Sequence, residues 1–367
     1  MFSMNLQVTQ ISDKKDFDKY LSLVESFDVI NPFYKILGAS LDEHAFDKLH
    51  YFTLLDSNET VLILMPFFLR RIPYLDQDQV YFDVISPYGY SGPLYNYNMS
   101  RGYLIRFWEL VDTWYKTHHV VSEFMRFSLN HNHQFYSGTL VPSLSNVKGK
   151  LLDPETQWDL FKQKVRNNYR KGQGSGLQAK FYTQEAALEQ LSLFYDIYLA
   201  TMSRIDADSS YFYSYHYFKS ILTLSDENAY IVLVYKDDVP ISTELILIDG
   251  TTLYSFLGGT LADYFQYRPN DFLKIEVMRW AYGQGYEYYL LGGGRLDGDT
   301  LYQYKKSFFP DDEDAIYYTG RKIINQAQYD YLNNLLNTPV ILDEPINGGS
   351  DNPHFFPAYR RFQLKKD

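Results

Sequence analysis

Two neighbouring lysines follow a glycine-rich turn. Lys305 and Lys306 stand in Leu301-Tyr302-Gln303-Tyr304-Lys305-Lys306, a few residues after Gly292-Gly293-Gly294-Arg295. A cation aimed at an oxygen that gains charge in a tetrahedral adduct lowers that barrier, so the pair suits chemistry at a carbonyl. The competing reading is a solvated helix face carrying both amines. Glu244 is the second candidate, a carboxylate inside the apolar run Ile241-Ser242-Thr243-Glu244-Leu245-Ile246-Leu247-Ile248. Burial raises a carboxyl pKa and suits a general base for an attacking ammonium. An exposed face or a structural salt bridge is the alternative, because strand alternation puts Glu244 on the face of Ser242.

Other residues are candidates for binding. Lys162, Lys164, Arg166, Arg170 and Lys171 form the most basic stretch, and Lys162, Arg166 and Arg170 share a face at helical spacing. They could hold phosphate groups, or simply form the wet face opposite Phe161, Val165 and Tyr169. The run Gly292-Gly293-Gly294 lacks the Gly-Lys-Ser/Thr of a phosphate loop. It reads as close backbone approach to a substrate, with a plain tight turn as the rival. Gly293, Gly294, Arg295 and Tyr304 are therefore expected near Lys305. Tyr88 and Tyr90, in the loop at 87–95, are candidates for an acceptor groove between domains, against an ordinary surface loop. His118-His119 and His131-x-His133 lack carboxylates at helix spacing, and no metal is expected.

Composition narrows the classes. The chain has 367 residues, no cysteine and a formal net charge of −11. Thiol nucleophiles and disulfides are excluded. The acidic balance disfavours extensive contact with RNA or DNA, and no DNA partner is expected. The first residues lack a basic-then-apolar signal, and the apolar run at 61–69 is too short to span a bilayer. A soluble cytoplasmic protein is the expectation.

The elements that must position these residues show a repeated order. In the first half, strands are predicted at 50–55, 61–70 and 80–85, a helix at 101–115 and a strand at 121–127. Thr139 to Lys150 carries Pro, Ser and Gly without a period and reads as a linker. Asp153-Pro154-Glu155 starts a helix expected to run to Gly172 with Trp158, Phe161, Val165 and Tyr169 inward. Helices follow at 185–202 and 215–224. Strands at 229–235, 241–248 and 253–257, a helix at 269–282 and a strand at 286–291 then repeat the first-half order. The pattern recurs, but the letters do not.

The order of segments resembles a known family. Val165-Arg166-Asn167-Asn168-Tyr169-Arg170-Lys171, the strand–strand–helix run from Ile241 to Gly285, Tyr288-Tyr289-Leu290-Leu291-Gly292-Gly293-Gly294-Arg295 and Leu301 to Phe308 are similar to Fem-type proteins, the peptidoglycan-bridge aminoacyltransferases and their GNAT-like relatives. Ser91-Gly92-Pro93-Leu94-Tyr95 is similar to a first-half loop of that family. The resemblance implies an α/β (α+β) fold of two tandem GNAT-like acyl-CoA N-acyltransferase domains, with mixed sheets flanked by helices. One domain would span 1–147, completed by 353–367, and the other 148–352. It implies an enzyme that moves an acyl or aminoacyl group to an amine of a cell-wall precursor, peptidoglycan peptide or surface-glycan building block. Lys305 and Glu244 would be catalytic. Arg166, Arg170, Lys171, Gly293, Gly294, Arg295, Tyr304, Lys306, Tyr88 and Tyr90 would bind substrate. The donor would be acyl-CoA or aminoacyl-tRNA, the latter presenting a tRNA 3′ end. A non-catalytic module for peptidoglycan or a nucleotide-sugar is the other implied reading. The sequence departs from ordinary acetyltransferases at Gln266-Tyr267-Arg268-Pro269-Asn270-Asp271. There it has no glycine, and an acid stands where a phosphate would sit.

Overall fold

The computed structural model describes residues 4–28, 31–40, 48–73, 79–336 and 356–360. In chain order the elements are β1 (Asn5–Gln10), α1 (Lys14–Val24), α2 (Phe33–Ile36), β2 (Leu49–Leu55), β3 (Val61–Arg71), β4 (Phe82–Ile85), α3 (Arg101–Thr117), β5 (Val120–Arg126) and β6 (Thr139–Lys150). Next come α4 (Pro154–Leu160), α5 (Gln163–Gly174), β7 (Gln178–Thr183), α6 (Gln184–Arg204), α7 (Tyr215–Ser225), β8 (Ala229–Lys236), β9 (Val239–Asp249) and β10 (Thr252–Thr260). The last are α8 (Pro269–Gly283), β11 (Tyr288–Gly292), α9 (Thr300–Lys306), β12 (Ala315–Ile323) and α10 (Gln326–Leu336). The chain is thus a mixed α/β protein. It divides into two compact units, Met1–Pro142 with Tyr317–Asp367, and Ser143–Ile316.

In the first unit β1, β2, β3 and β4 pair antiparallel, β4 pairs β5 parallel, and β12 adds to β5 antiparallel. Leu104, Phe107, Trp108, Val111 and Tyr115 line one stripe of α3 and are buried. They meet Phe52, Ile63, Met65 and Phe67 from the sheet. Burying such side chains contributes roughly 1.5–3 kcal/mol each. Tyr359, fully buried, sends its hydroxyl to Asp83 Oδ2 at 3.1 Å. Arg360 Nε donates to the same oxygen at 2.7 Å. Residues 356–360 of the expected C-terminal return therefore pack in this unit, and the rest of that segment lies outside the described residues.

In the second unit the strand order is β6, β11, β10, β9, β8, β7. Only β10 and β11 run parallel, and the other neighbours are antiparallel. Asp153 accepts from Thr156 N at 3.0 Å, and Pro154 takes the first helical position of α4. Pro269 does the same for α8, preceded by Arg268 in the left-handed region at φ 59°. Residues 271–275 of α8 are all buried, so this helix has core on nearly every side. Tyr169 of α5 stacks on Phe272 of α8 with ring centroids 5.4 Å apart.

Three expectations are corrected. The segment 139–150 is not a linker but β6, whose Gly149 admits the Phe309 ring where a Cβ would lie 2.0 Å from it. Its mixed burial hid the two-residue period. The helix expected from 154 to 172 is two helices, because Phe161 turns extended (φ −61°, ψ 140°) and its ring drops into the core. Residues 317–336 group with the first unit rather than the second. Strands β1, β7 and β12 were not read from the sequence. The first two carry polar residues on half-exposed faces, which weakens their apolar signal. Among the described residues no helix is long and apolar enough to cross a membrane.

Candidate functional site

Two parallel strands that start together and then part create the site. β10 pairs β11 only from Thr252 to Tyr254, opposite Tyr288 to Leu290. Its register against β9 then shifts between Ser255 and Leu257, and β10 continues beside β9 to Thr260. β11 stays with β6 and ends at Gly292, φ 76°. The backbone between Ser255 and Thr260 therefore lacks a ladder to β11. A cavity of about 700 Å³ is bordered by this edge, with walls from α6, α8 and α9. Gly258 lets β9 and β10 close up, since a Cβ there would lie 2.4 Å from the Thr243 carbonyl.

The cavity floor is a buried ion pair. Glu244 of β9 is 3% exposed and Lys274 of α8 is 7% exposed. Lys274 Nζ donates to Glu244 Oε1 at 2.7 Å and to Ser255 Oγ at 2.8 Å. The Tyr289 hydroxyl lies 2.8 Å from Oε1 and 2.9 Å from Oε2. Burial, and then the neighbouring Glu244, hold that phenol well above its usual range. The pair satisfies the rule that buried charges need partners.

α9 delivers the second amine. Asp299 caps it, accepting from Tyr302 N at 2.8 Å and from the backbone N–H groups of Arg295 (2.8 Å) and Leu296 (3.2 Å). Gly294 makes room, because a Cβ there would lie 1.9 Å from Asp299 Oδ1. Tyr304 and Lys305 then reach the cavity. Lys305 Nζ donates to the Gly293 carbonyl at 2.6 Å. Its pKa is lowered to about 8, chiefly by burial and next by the Lys274 cation, against the pull of Glu244 and Asp299. Tyr304 Oη accepts from Asn270 at 2.9 Å, and burial raises its pKa strongly.

The start of α8 has its own occupant. Asp271 is buried, and burial raises its pKa while the Asn168 amide, donating at 3.0 Å, opposes the rise. Pro269 offers no N–H. The family-like segment around Asn168 and Tyr169 thus fixes the beginning of α8 rather than facing the cavity.

The sequence-selected residues separate into groups. Glu244, Arg295, Tyr304 and Lys305 line one cavity, with Gly293 and Gly294 shaping the turn beside it. Lys306 turns elsewhere, to Asp314 Oδ1 at 2.9 Å and the Asp312 carbonyl. Arg166 donates to the carbonyls of Trp158 (3.3 Å) and Asp159 (3.0 Å) and to Gln163, tying the α4–α5 corner. Arg170 lies over the Trp158 ring at 5.2 Å, and Lys171 is exposed in the last turn of α5. None of these three lines the cavity. Tyr88 and Tyr90 belong to the first unit. Tyr88 is exposed, while Tyr90 is edge-on to Phe33 and Tyr317. The sequence reading missed Lys274, Tyr289 and Ser255. A lysine amid the continuous burial of α8 was the available signal. Among the described residues, no group of three or more His, Cys, Asp or Glu could hold a metal ion.

Comparison with known proteins agrees with this geometry. Residues 161–306 match the family described as acetyltransferase (GNAT) domain. No curated protein matches the sequence. Among solved structures, FemX shares 12% identity at a TM-score of 0.60, over 89% of this chain and 99% of that one. The C-terminal domain of a protein described as a lysylphosphatidylglycerol synthetase, from Agrobacterium fabrum, shares 13% identity at 0.54, over 86% and 92%. L-PGS from Bacillus licheniformis shares 12% at 0.54, over 86% and 94%.

Proposed function

We propose, from the premise that residues 161–306 form a GNAT acetyltransferase domain in a chain of Fem-like fold, that this protein is an N-acyltransferase acting by direct attack in a ternary complex. The observation that carries the proposal is the inward Lys305 amine beside the Glu244–Lys274 pair, at a cavity where β10 and β11 separate. A donor carbonyl placed in that gap would be attacked by a neutral acceptor amine. The C–N bond forms, and the carbonyl electron pair moves onto oxygen. The Lys305 cation stabilises that oxyanion. The adduct then collapses, expelling the thiolate or alkoxide of the donor, while the proton on nitrogen leaves to water in the open cavity. Glu244 already accepts from Lys274 and Tyr289, so it serves better as the counter-ion that holds Lys274 than as the base.

The acceptor is an amine of a cell-wall precursor, peptidoglycan peptide or surface-glycan building block, acylated in the cytoplasm. The family resemblance supports this class. The donor is an acyl-CoA thioester or the aminoacyl ester of a tRNA. A non-catalytic binding module is the second reading, favoured by Asp271 at the start of α8 where other acetyltransferases carry glycine. Assays with acetyl-CoA or aminoacyl-tRNA and nucleotide-linked muropeptides separate the two. Lys305→Ala is expected to lower turnover about 10²–10³-fold, the loss typical of one oxyanion donor, with the far-UV spectrum and melting point kept. Full activity in that variant retires the assignment. Stabilisation by glycan without turnover by the wild type would favour the module.

A further inference from the structure

The first unit holds a cluster of cations that acyl transfer does not use. Asp83 of β4 stands opposite Ser122 of β5, and the Tyr359 hydroxyl bonds both side chains. Glu123, next to Ser122, points the other way and takes a hydrogen bond from Tyr115 of α3. Asp83 and Ser122 therefore share the sheet face away from α3. Arg70 and Arg360 both donate to Asp83 at 2.7 Å. Arg126 lies an even number of residues beyond Ser122 and so projects on the same face. Its guanidinium rests over the Phe124 ring, 4.9 Å from the centroid.

The anions on this face do not balance the cations. Among the described residues Asp83 is the one carboxylate within ion-pair distance of Arg70, Arg126 or Arg360. Three guanidiniums against one carboxylate leave two positive charges over. Among the described residues the Arg126 guanidinium donates only to the Ser86 carbonyl, at 3.1 Å, although such a group carries five N–H donors. Arg70 Nη2 is buried with no hydrogen-bond partner. Burial is the chief cause that lowers the Arg126 pKa, opposed by Tyr317 and Tyr88 and reinforced by the Arg70 cation. A desolvated cation is costly unless an anion meets it. The same sheet observes that rule on its other face, where Lys322 meets Asp112 and Glu123. Aromatic rings complete the surroundings. The Tyr317 hydroxyl donates to the Gly89 carbonyl at 3.4 Å, and Tyr88, 60% exposed, marks the approach from solvent.

We infer that Arg70 and Arg126, with Tyr88 and Tyr317 beside them, bind a phosphate monoester dianion in the first unit. The two charges left over match the charge such a group carries above neutral pH. Guanidinium groups recognise phosphate through paired N–H donors. A carboxylate brings one charge and would leave a cation unmatched. The inference does not rest on the acyl-transfer reading, because every residue it uses belongs to the first unit.

The test is equilibrium binding of the full chain to inorganic phosphate and to acetate, at about pH 8, where phosphate is mostly a dianion, with chloride holding ionic strength constant. Phosphate should bind and raise the thermal midpoint of the wild type. Acetate should bind at least about tenfold more weakly. Arg126→Gln should lose at least about tenfold in phosphate affinity, as expected when a charge-assisted contact is removed, and phosphate should no longer raise its midpoint. Arg126→Lys keeps the charge without the paired donors, so it should weaken binding in the same direction by less. That variant keeps the test readable where Arg126→Gln does not fold. Arg295→Gln, in the second unit, should bind phosphate like the wild type, which separates this site from the cavity beside β10. Absence of phosphate binding, or acetate binding as tightly as phosphate, overturns the inference. So does equal binding by the wild type and the Arg126 variants, or a loss seen in Arg295→Gln instead of Arg126→Gln.

Discussion

Each unit contains a parallel strand pair next to a buried glutamate–lysine cluster, and the two clusters have opposite surroundings. In the first unit β4 and β5 remain closed beyond their ends. Ser86 N bonds the Phe124 carbonyl at 3.0 Å, and Ser86 Oγ accepts from Arg126 N at 2.8 Å. Glu123, fully buried, takes hydrogen bonds from Tyr115 and Tyr136 and lies 3.4 Å from Lys322. The Lys322 ammonium sits over the rings of Trp108, Tyr115 and Tyr136 at 4.9, 5.6 and 4.8 Å. Aromatic bulk fills the space around the charge. In the second unit β10 leaves β11 after Tyr254, and Ser255, Gly258 and Gly259 border a cavity instead. A buried ion pair therefore does not make a site. What makes one is strand separation together with small residues beside the charge.

That contrast can be broken by mutation, and the largest stability effect is expected at the closed cluster. Glu123→Ala leaves Lys322 on Asp112 and Ser137 but orphans the buried hydroxyls of Tyr115 and Tyr136, and should cost about 2–6 kcal/mol in denaturant unfolding, while the folded fraction keeps its specific activity. Glu244→Ala should cost less, about 1–3 kcal/mol, because water in the cavity can solvate Lys274. It should instead depress turnover. Equal stability losses with unchanged turnover in both variants would erase the distinction. Gly258→Ala is next. Its Cβ meets the Thr243 backbone, so about 1–3 kcal/mol should be lost, accompanied by a higher KM as β9 and β10 shift.

A further effect is a pH dependence of stability. Lys305 titrates near 8 in the folded protein and near its ordinary 10.5 when unfolded. Between those values the unfolded chain binds more protons, so stability should rise with pH across that window and fall back as pH drops through about 8. Thermal midpoints of the wild type should climb in this window more steeply than those of Lys305→Met. Parallel curves would mean that the amine is not desolvated.

The sequence carried the periodic elements well and the tertiary geometry poorly. The Asp153-Pro154 helix start, the α8 start at Pro269 and the order of strands and helices from 229 to 291 were legible because local chemistry decides them. Lys305, Glu244, Tyr304 and Arg295 were legible as residue types, and the fold brings them to one cavity. Arg166 and Arg170 looked like phosphate ligands because charge at helical spacing cannot reveal that Trp158 and its neighbours already occupy them. Lys274 was hidden for the converse reason: its partner lies 30 residues earlier in the chain. The separation of β10 from β11 leaves almost no local trace, since it depends on which neighbour each strand keeps.

The central claim is that the Lys305 cation stabilises the developing oxyanion. The direct measurement is the pH dependence of kcat/KM for acyl transfer by the wild type and by Lys305→Arg. The account predicts an alkaline limb near pH 8, where the lysine loses its charge. In Lys305→Arg that limb should move above about pH 10, because arginine stays charged there. An alkaline limb at the same pH in both proteins, or a Lys305→Ala variant that turns over at the wild-type rate, would contradict it.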